Sequence, residues 1–128
     1  MFLHRILLSG GADVNKENIR GVTPLHFGAE SGTKPVCIAL IDHGADIDAV
    51  DVNEDTALHY SARRGEDGTS TILVEAGCKL DQYNEQGDNA LLAAIRNNNE
   101  NVIAVIVMSD KWKDALKLDE DHERKDSG

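Results

Sequence analysis

Two histidines are the most chemically suggestive residues of this sequence. His26 and His59 stand 33 residues apart, in the stretches Thr-Pro-Leu-His and Thr-Ala-Leu-His. Two zinc ligands must each lie about 2 Å from one ion, whereas packed helices lie about 8–10 Å apart. Histidines at the start of neighbouring helices therefore cannot easily share a metal, and Leu92 occupies the third equivalent position. We predict that His26 is structural and that the chain holds no metal.

The other reactive side chains form no catalytic pattern. Cys37 and Cys78 are the only cysteines among 128 residues, which is too few for a disulfide-stapled secreted domain. We predict two reduced thiols that pack as small hydrophobes. The stretch DVNEDTALHY looks superficially like a calcium loop but lacks its central glycine and final glutamate. No G-x-S-x-G, Walker or H-E-x-x-H motif is present, so we predict neither an enzyme nor a cofactor.

The net charge of −10 and pI of about 4.8 argue against nucleic acid and against an anionic membrane surface. A hydrophobic content of 41% is enough for one domain with a real core. The apolar opening MFLHRILLSGG is interrupted by His4 and Arg5 and ends early, so we expect neither a membrane span nor a targeting segment. These features indicate a cytoplasmic protein.

The chain repeats itself with a period of 33 residues, and this decides the fold. TPLH at 23–26 aligns with TALH at 56–59 and NALL at 89–92, and GAD at 11–13 aligns with GAD at 44–46. In each unit a threonine suits an N-cap and a glycine suits a left-handed helix end, as Thr23 and Gly32 do. Helices this short are marginal in isolation. They must therefore be stabilised by stacking on neighbouring units.

The stretches GVTPLHFGAESG and LIDHGADIDA resemble the ankyrin-repeat family, over about residues 3 to 110. The resemblance implies an all-α solenoid of helix–turn–helix units with β-hairpin fingers. It also implies that the histidine at the position of His26 and His59 hydrogen-bonds to backbone and ties neighbouring units together. The implied function is non-catalytic protein–protein interaction, on a concave face formed by the fingers and the inner helices.

The repeat pattern divides the chain into unequal parts. We expect a partial first repeat with only its second helix and finger, followed by three repeats. A C-terminal helical extension and a charged, disordered tail complete the chain, so that the predicted boundaries are 1–17, 18–50, 51–83, 84–110, 111–118 and 119–128.

Several positions depart from the repeat pattern. The second helix of the unit 51–83 is predicted to be weak, because Gly68 and Thr69 stand where the previous unit has Pro35 and Val36. On this basis Thr69→Val should stabilise the protein. Glu54 replaces a glycine, and an asparagine that can adopt the left-handed conformation stands at position 98.

The family pattern places partner-binding residues on the finger tips and the inner helices. Transferred to this sequence, it selects Ile19, Arg20, Val22, Glu30, Ser31, Val50, Val52, Asn53, Asp55, Arg63, Arg64, Tyr83, Glu85, Gln86, Asp88, Arg96 and Asn97. Arg63 and Arg96 hold the same repeat position, so an acidic or phosphorylated segment of a partner is the expected ligand for them.

Two further expectations come from resemblance. The ending SDKWKDALK, chiefly Ser109, Lys111, Trp112, Leu116 and Lys117, is similar to the end of the cytosolic array in ankyrin-type transient receptor potential channels. The chain could then be a segment of a channel or of another large protein, whose partners are neighbouring ankyrin units. The alternative for Trp112 is a hydrophobic cap on the last unit. Asn15 resembles the finger asparagines that an asparaginyl hydroxylase modifies in the family.

Overall fold

The computed structural model describes residues 13–113. The predicted helix of the partial first repeat, most of the C-terminal extension and the charged tail lie outside these residues. Between 13 and 113 the chain forms six α-helices in three consecutive pairs. Their bounds are Pro24–Ser31 (α1), Lys34–Asp42 (α2), Ala57–Arg64 (α3), Asp67–Glu75 (α4), Ala90–Arg96 (α5) and Glu100–Val107 (α6).

The helices stack in two layers. In one layer α3 packs against α1 and α5, and in the other α4 packs against α2 and α6, while each pair also packs within itself. We call these the inner and the outer layer. The core between them is aliphatic, and its largest fully buried members are Leu25, Leu40, Leu58, Leu73 and Ile106. The predicted helical solenoid is therefore confirmed, and among residues 13–113 the helices of each unit pack mainly on those of the neighbouring units.

The predicted helix signals are confirmed at the first inner helix. The side chain of Thr23 caps α1 by accepting a hydrogen bond from the N–H of His26, and Pro24 takes the first helical position. Gly32 ends the helix with φ 73°, a conformation that glycine adopts without strain. A Cβ at position 32 would meet only the carboxylate end of the Glu66 side chain, which can move aside, so the positive φ is the constraint that favours glycine there.

Tight turns lie where β-hairpin fingers were expected, and residues 13–113 contain no β-strand. Each turn is closed by two backbone hydrogen bonds. In the middle one the N–H of Asp51 donates to the carbonyl of Asp55 (3.1 Å), and that of Glu54 donates to the carbonyl of Asp51 (2.9 Å). We name the three segments 18–22, 51–55 and 84–88 the turns.

The fourth position of each turn has a positive φ. Gly21 and Gly87 have φ values of 76° and 82°, and Glu54 between them has 63°. Glu54 therefore replaces glycine without changing the turn, at the cost of left-handed backbone in a residue with a side chain. Asn98 has φ 57°, which confirms the conformation predicted for it.

Replacing Glu54 with glycine should relieve this strain. We expect Glu54→Gly to raise the free energy of unfolding by about 0.5–1 kcal/mol, measured by urea denaturation. Glu54→Ala is the matched control, since it removes the charge but keeps a Cβ and should gain little. Gly87→Ala should destabilise by a similar amount, because a Cβ there would touch nothing within 4 Å and would change only the backbone preference. Equal stability of all three variants would contradict this account.

The outer helix α4 is formed over nine residues, as many as α2. Thr69 is fully buried in it, and its hydroxyl donates to the carbonyl of Ala29 in the previous repeat (2.9 Å). Ser70 beside it shares a buried hydroxyl–hydroxyl bond of 2.7 Å with Ser61. The sequence alone predicted that valine at position 69 would stabilise the protein. Because valine cannot make this inter-repeat hydrogen bond, we now expect Thr69→Val to destabilise it.

We predict that Thr69→Val lowers the free energy of unfolding by about 1 kcal/mol, the usual net value of one hydrogen bond. Thr71→Val is the matched control. The Thr71 hydroxyl donates to Asp67 within the same helix, so that its loss leaves no inter-repeat group unpaired. A Thr69→Val variant that is as stable as wild type, or more stable, would show that apolar packing dominates at this position.

The C-terminal end of the described chain is anchored to the preceding repeat. A helical turn follows α6 at residues 110–113. The ammonium of Lys111 donates to the carbonyls of Cys78 (2.9 Å) and Gly77 (3.3 Å), just beyond the end of α4. Trp112 is half-buried and packs on the hydrophobic core, while its role as a cap on the last unit stays a prediction.

Candidate partner-binding surface

The two histidines link each inner helix to the next turn. The Nδ1 atom of His26 accepts hydrogen bonds from the N–H (3.0 Å) and the hydroxyl (2.8 Å) of Thr23. Its Nε2–H donates to the carbonyl oxygen of Asp55 at 2.9 Å. His59 repeats this arrangement with Thr56 and with the carbonyl of Asp88, at 2.8 Å. The structural role predicted for His26 is confirmed.

This arrangement requires neutral imidazoles. Because a backbone N–H can only donate, Nδ1 accepts and carries no proton, and Nε2 carries the single ring proton that is donated to the carbonyl. Burial lowers the pKa of His59, and the nearby Arg63 lowers it further, although the bond to Asp88 opposes the shift. Neither ring nitrogen is available to a metal. Within residues 13–113 no group of three histidine, cysteine or acidic side chains could hold one.

The first side chain of each turn shapes it. The Oδ1 atom of Asp51 accepts from the N–H groups of Asn53 (2.9 Å) and Asp55 (3.0 Å). Asn18 and Asn84 do the same at the equivalent positions of the other two turns. Carboxylates and amides are both suited to this local bonding. Each turn is therefore held in one conformation before any neighbour is considered.

Hydrogen bonds between neighbouring turns then fix the register of one turn relative to the next. The N–H of Val52 donates to the carbonyl of Arg20, and the N–H of Glu85 donates to the carbonyl of Asn53, both at 2.9 Å. Side chains at equivalent turn positions therefore lie in rows along the stack. The structure brings six predicted residues together in this way, namely Ile19, Arg20, Val52, Asn53, Glu85 and Gln86, and all six are exposed.

Three predicted partner-binding residues have buried side chains. Val22 is 8% exposed, Asp55 is 5% exposed and Asp88 is 3% exposed. The last two form ion pairs with inner-helix arginines. Arg63 contacts Asp55 at 3.0 Å and Arg96 contacts Asp88 at 2.9 Å. We therefore remove these three residues from the surface, and we assign the two carboxylates a role in orienting the arginines.

Tyr60 is a central residue that the sequence reasoning missed. Its hydroxyl donates to the Oδ2 atom of Asp51, its ring meets His26 edge to face at 4.8 Å, and Arg63 lies 5.2 Å from its ring centre. Burial alone would raise the pKa of Asp51, but the hydrogen bonds from Tyr60 and from the turn N–H groups outweigh it and lower that pKa. Burial and the bond to Asp51 raise the pKa of Tyr60.

Tyr60 could have been identified by comparing equivalent positions of the repeat. Phe27 stands at the same position one unit earlier and is 52% exposed. An aromatic side chain that recurs at one repeat position of an inner helix is a usable signal, although its hydrogen bond to the turn is not visible in the sequence.

The remaining predicted residues lie in or beside the turns and on the inner helices or at their ends. Between the second and third turns lies a cleft of about 290 Å³, lined by Asn53, Asp55, Arg63, Asn84, Glu85 and Gln86. Val50 and Tyr83 lie at exposed positions just before two of the turns, and Glu30 is half-buried on α1. The other exposed members stand at the ends of inner helices and are Ser31, Arg64 and Asn97.

Both cysteines are buried, and neither forms a disulfide. Burial raises the pKa of Cys37 to about 11 and, together with the nearby Asp48, that of Cys78 to about 12. Their thiols therefore stay protonated at neutral pH and are poor nucleophiles. The predicted role as small core residues is confirmed.

Paired short helices joined by tight turns and stacked in register define a helical repeat protein. Residues 2–84 and 44–116 match the family model of ankyrin repeats, which comprises three copies, and the chain belongs to the ankyrin-repeat family. No curated protein matches the chain. Ankyrin repeats generally bind other proteins and are typically non-catalytic. No helix among the described residues is long and apolar enough to cross a membrane.

The lowered pKa of His59 predicts a pH dependence of stability. The unfolded chain takes up a proton at His59 below the ordinary pKa of 6.5, whereas the folded protein takes up that proton only at a lower pH. The stability that neutral His59 contributes above pH 6.5 should therefore be lost as the pH falls below that value. Asp51 adds a separate loss that begins only below about pH 3.8, its ordinary pKa.

We expect His59→Leu, which copies the residue at position 92, to flatten the change in unfolding free energy between pH 7.5 and pH 5. Urea denaturation at several pH values in that window measures the slope. The variant should be less stable throughout, because the bond to Asp88 is lost, so only the slope is informative. A slope as steep as that of wild type would assign the pH dependence to other groups.

Proposed function

We propose that this protein is a non-catalytic interaction module that binds a partner protein through the turns and the inner helices. The observation that supports this most directly is the row of exposed side chains held in register by hydrogen bonds between turns. Rigid backbone with exposed and varied side chains suits recognition, because little conformational entropy is lost on binding.

Photo-cross-linking from single positions can test the surface. A benzophenone amino acid placed at position 52, in a turn, should label a partner protein in cell extract, and position 83 should label the same partner. Position 38 on outer helix α2 is the matched control, since Ile38 is 47% exposed and Val52 is 59% exposed. Labelling of that partner from position 38 alone would place the binding surface on the opposite layer.

Arg63 and Arg96 on the inner helices favour a partner segment that is acidic or phosphorylated. One edge of each guanidinium pairs with a buried aspartate. The side chain of Arg96 nevertheless remains 66% exposed. A forked donor that is already oriented can bind a carboxylate or phosphate with its remaining N–H groups. Arg96→Lys retains the charge beside Asp88 but loses the fork. It should weaken binding of the cross-linked partner, whereas Lys34→Gln on the outer layer should not.

A cytoplasmic location is part of this proposal. It is supported by two unpaired, buried thiols, because thiols persist in reducing compartments. The alternative function is a structural or regulatory ankyrin segment of an ion channel or other large protein, with neighbouring ankyrin units as partners. That alternative rests on the sequence resemblance around Trp112. The length of the parent transcript distinguishes the two, since a channel requires further apolar segments downstream.

We also propose Asn15 as a hydroxylation site. Its side chain is exposed, and it already bridges two repeats by accepting from the N–H of Asp46 (2.6 Å) and donating to the carbonyl of Gly44 (3.2 Å). Incubation with an asparaginyl hydroxylase should add one oxygen to the peptide containing Asn15, as located by mass spectrometry. The Asn15→Gln protein is the control, and an unmodified wild-type peptide would exclude the site.

A further inference from the structure

The turns and the residues just before them carry a patch of exposed apolar side chains. Its side chains are Ile19, Val50, Val52 and Tyr83, which are 99%, 38%, 59% and 52% exposed. Scattered apolar residues on a surface need no explanation, but several at neighbouring positions mark a contact site. These four lie at related positions of consecutive units, so that the repeat brings them together.

The patch has a defined layout with an acid at each end. One row along the stack holds Glu17, Val50 and Tyr83, which are successive repeat equivalents. The next row holds the equivalents Ile19, Val52 and Glu85. The bonds from Val52 to Arg20 and from Glu85 to Asn53 keep the second row in register. Apolar side chains therefore fill the centre of the patch, and Glu17 and Glu85 lie at opposite ends of it.

The charge around this patch is predominantly negative. Among side chains that are not buried, the segments 13–22, 46–55 and 79–88 carry seven acids and three bases. The whole chain has a net charge of −10. A second copy of the chain, a nucleic acid or an anionic membrane would be repelled. A segment with basic groups would be attracted, most strongly at low ionic strength.

We propose that the patch binds an extended protein segment with apolar side chains at its centre and a basic side chain at each end. This rests on the proposed function and names the partner chemistry at the turns. Stacked helices lie about 10 Å apart, so two repeats span about 20 Å. An extended chain covers that distance in about six residues, and alternate side chains point to one face. A base, two apolar residues and a second base can therefore all face the patch.

The probe is the peptide Lys-Ser-Leu-Ser-Leu-Ser-Lys, titrated into the ¹⁵N-labelled chain of 128 residues and followed by NMR. We expect shifts centred on residues 17–19, 50–52 and 83–85, with an affinity that falls as salt is added. Replacing both lysines with glutamate should weaken binding about tenfold or more, the sum expected from two exposed ion pairs. Replacing both leucines with serine should also weaken it.

Protein variants separate this site from a general attraction to an acidic protein. Glu17→Gln combined with Glu85→Gln should weaken binding of the lysine peptide. Glu75→Gln combined with Glu100→Gln removes the same charge from exposed positions on the outer helices, and should not. Thermal unfolding of both double variants checks that they are folded.

Several results would overturn the inference. The first is that the peptide does not bind, and the second is that the lysine and glutamate peptides bind equally. The third is that the two double variants have equal effects. The fourth is that the turn resonances shift with protein concentration without peptide, which would indicate binding of a second copy. A partner that cross-links from position 52 through an acidic segment would also refute it, while leaving the proposed function intact. Failure of cross-linking from positions 52 and 83 would instead refute the proposed function.

Discussion

The bond from a buried histidine to the carbonyl of the next turn is the interaction on which the structure depends. His26 reaches Asp55 and His59 reaches Asp88, each across one unit. Inner helices of seven or eight residues are marginal by themselves, so each must be completed by its neighbours. The imidazole does this through both ring nitrogens, because Nδ1 bonds to the cap of its own helix and Nε2 positions the backbone of the following turn.

The proposed binding surface follows from this positioning. Once a turn is attached to the previous inner helix, its side chains face the same direction as those of the turns beside it. The buried carboxylates of Asp55 and Asp88 face inward from the turns and pair with Arg63 and Arg96. An exposed ion pair contributes little, but here one partner of each pair is buried and the arginine is held at a defined site.

The two parts of the surface differ in charge. The inner helices offer oriented arginines, and the turns carry apolar side chains among acids. A partner matched to both parts would present acidic groups to the helices and basic groups to the turns. Such opposite requirements favour specificity, because a uniformly charged competitor would be repelled by one part.

The sequence by itself determined the repeat, the class of fold and the helix ends. A period of 33 residues, Thr23 at a cap and Gly32 at a helix end are local signals. Each acts within one unit, so they can be read without knowing the neighbours. The backbone conformation of Asn98 was predictable for the same reason.

Only the tertiary structure decided which side chains reach solvent. Val22, Asp55 and Asp88 occupy turn positions that look exposed in the sequence, yet each is buried. Thr69 looks like a defect and instead donates to Ala29 in another repeat. Tyr60 contacts a turn and the histidine of the preceding repeat. These outcomes depend on contacts between units, and a pattern that repeats within units does not specify which atoms meet across them.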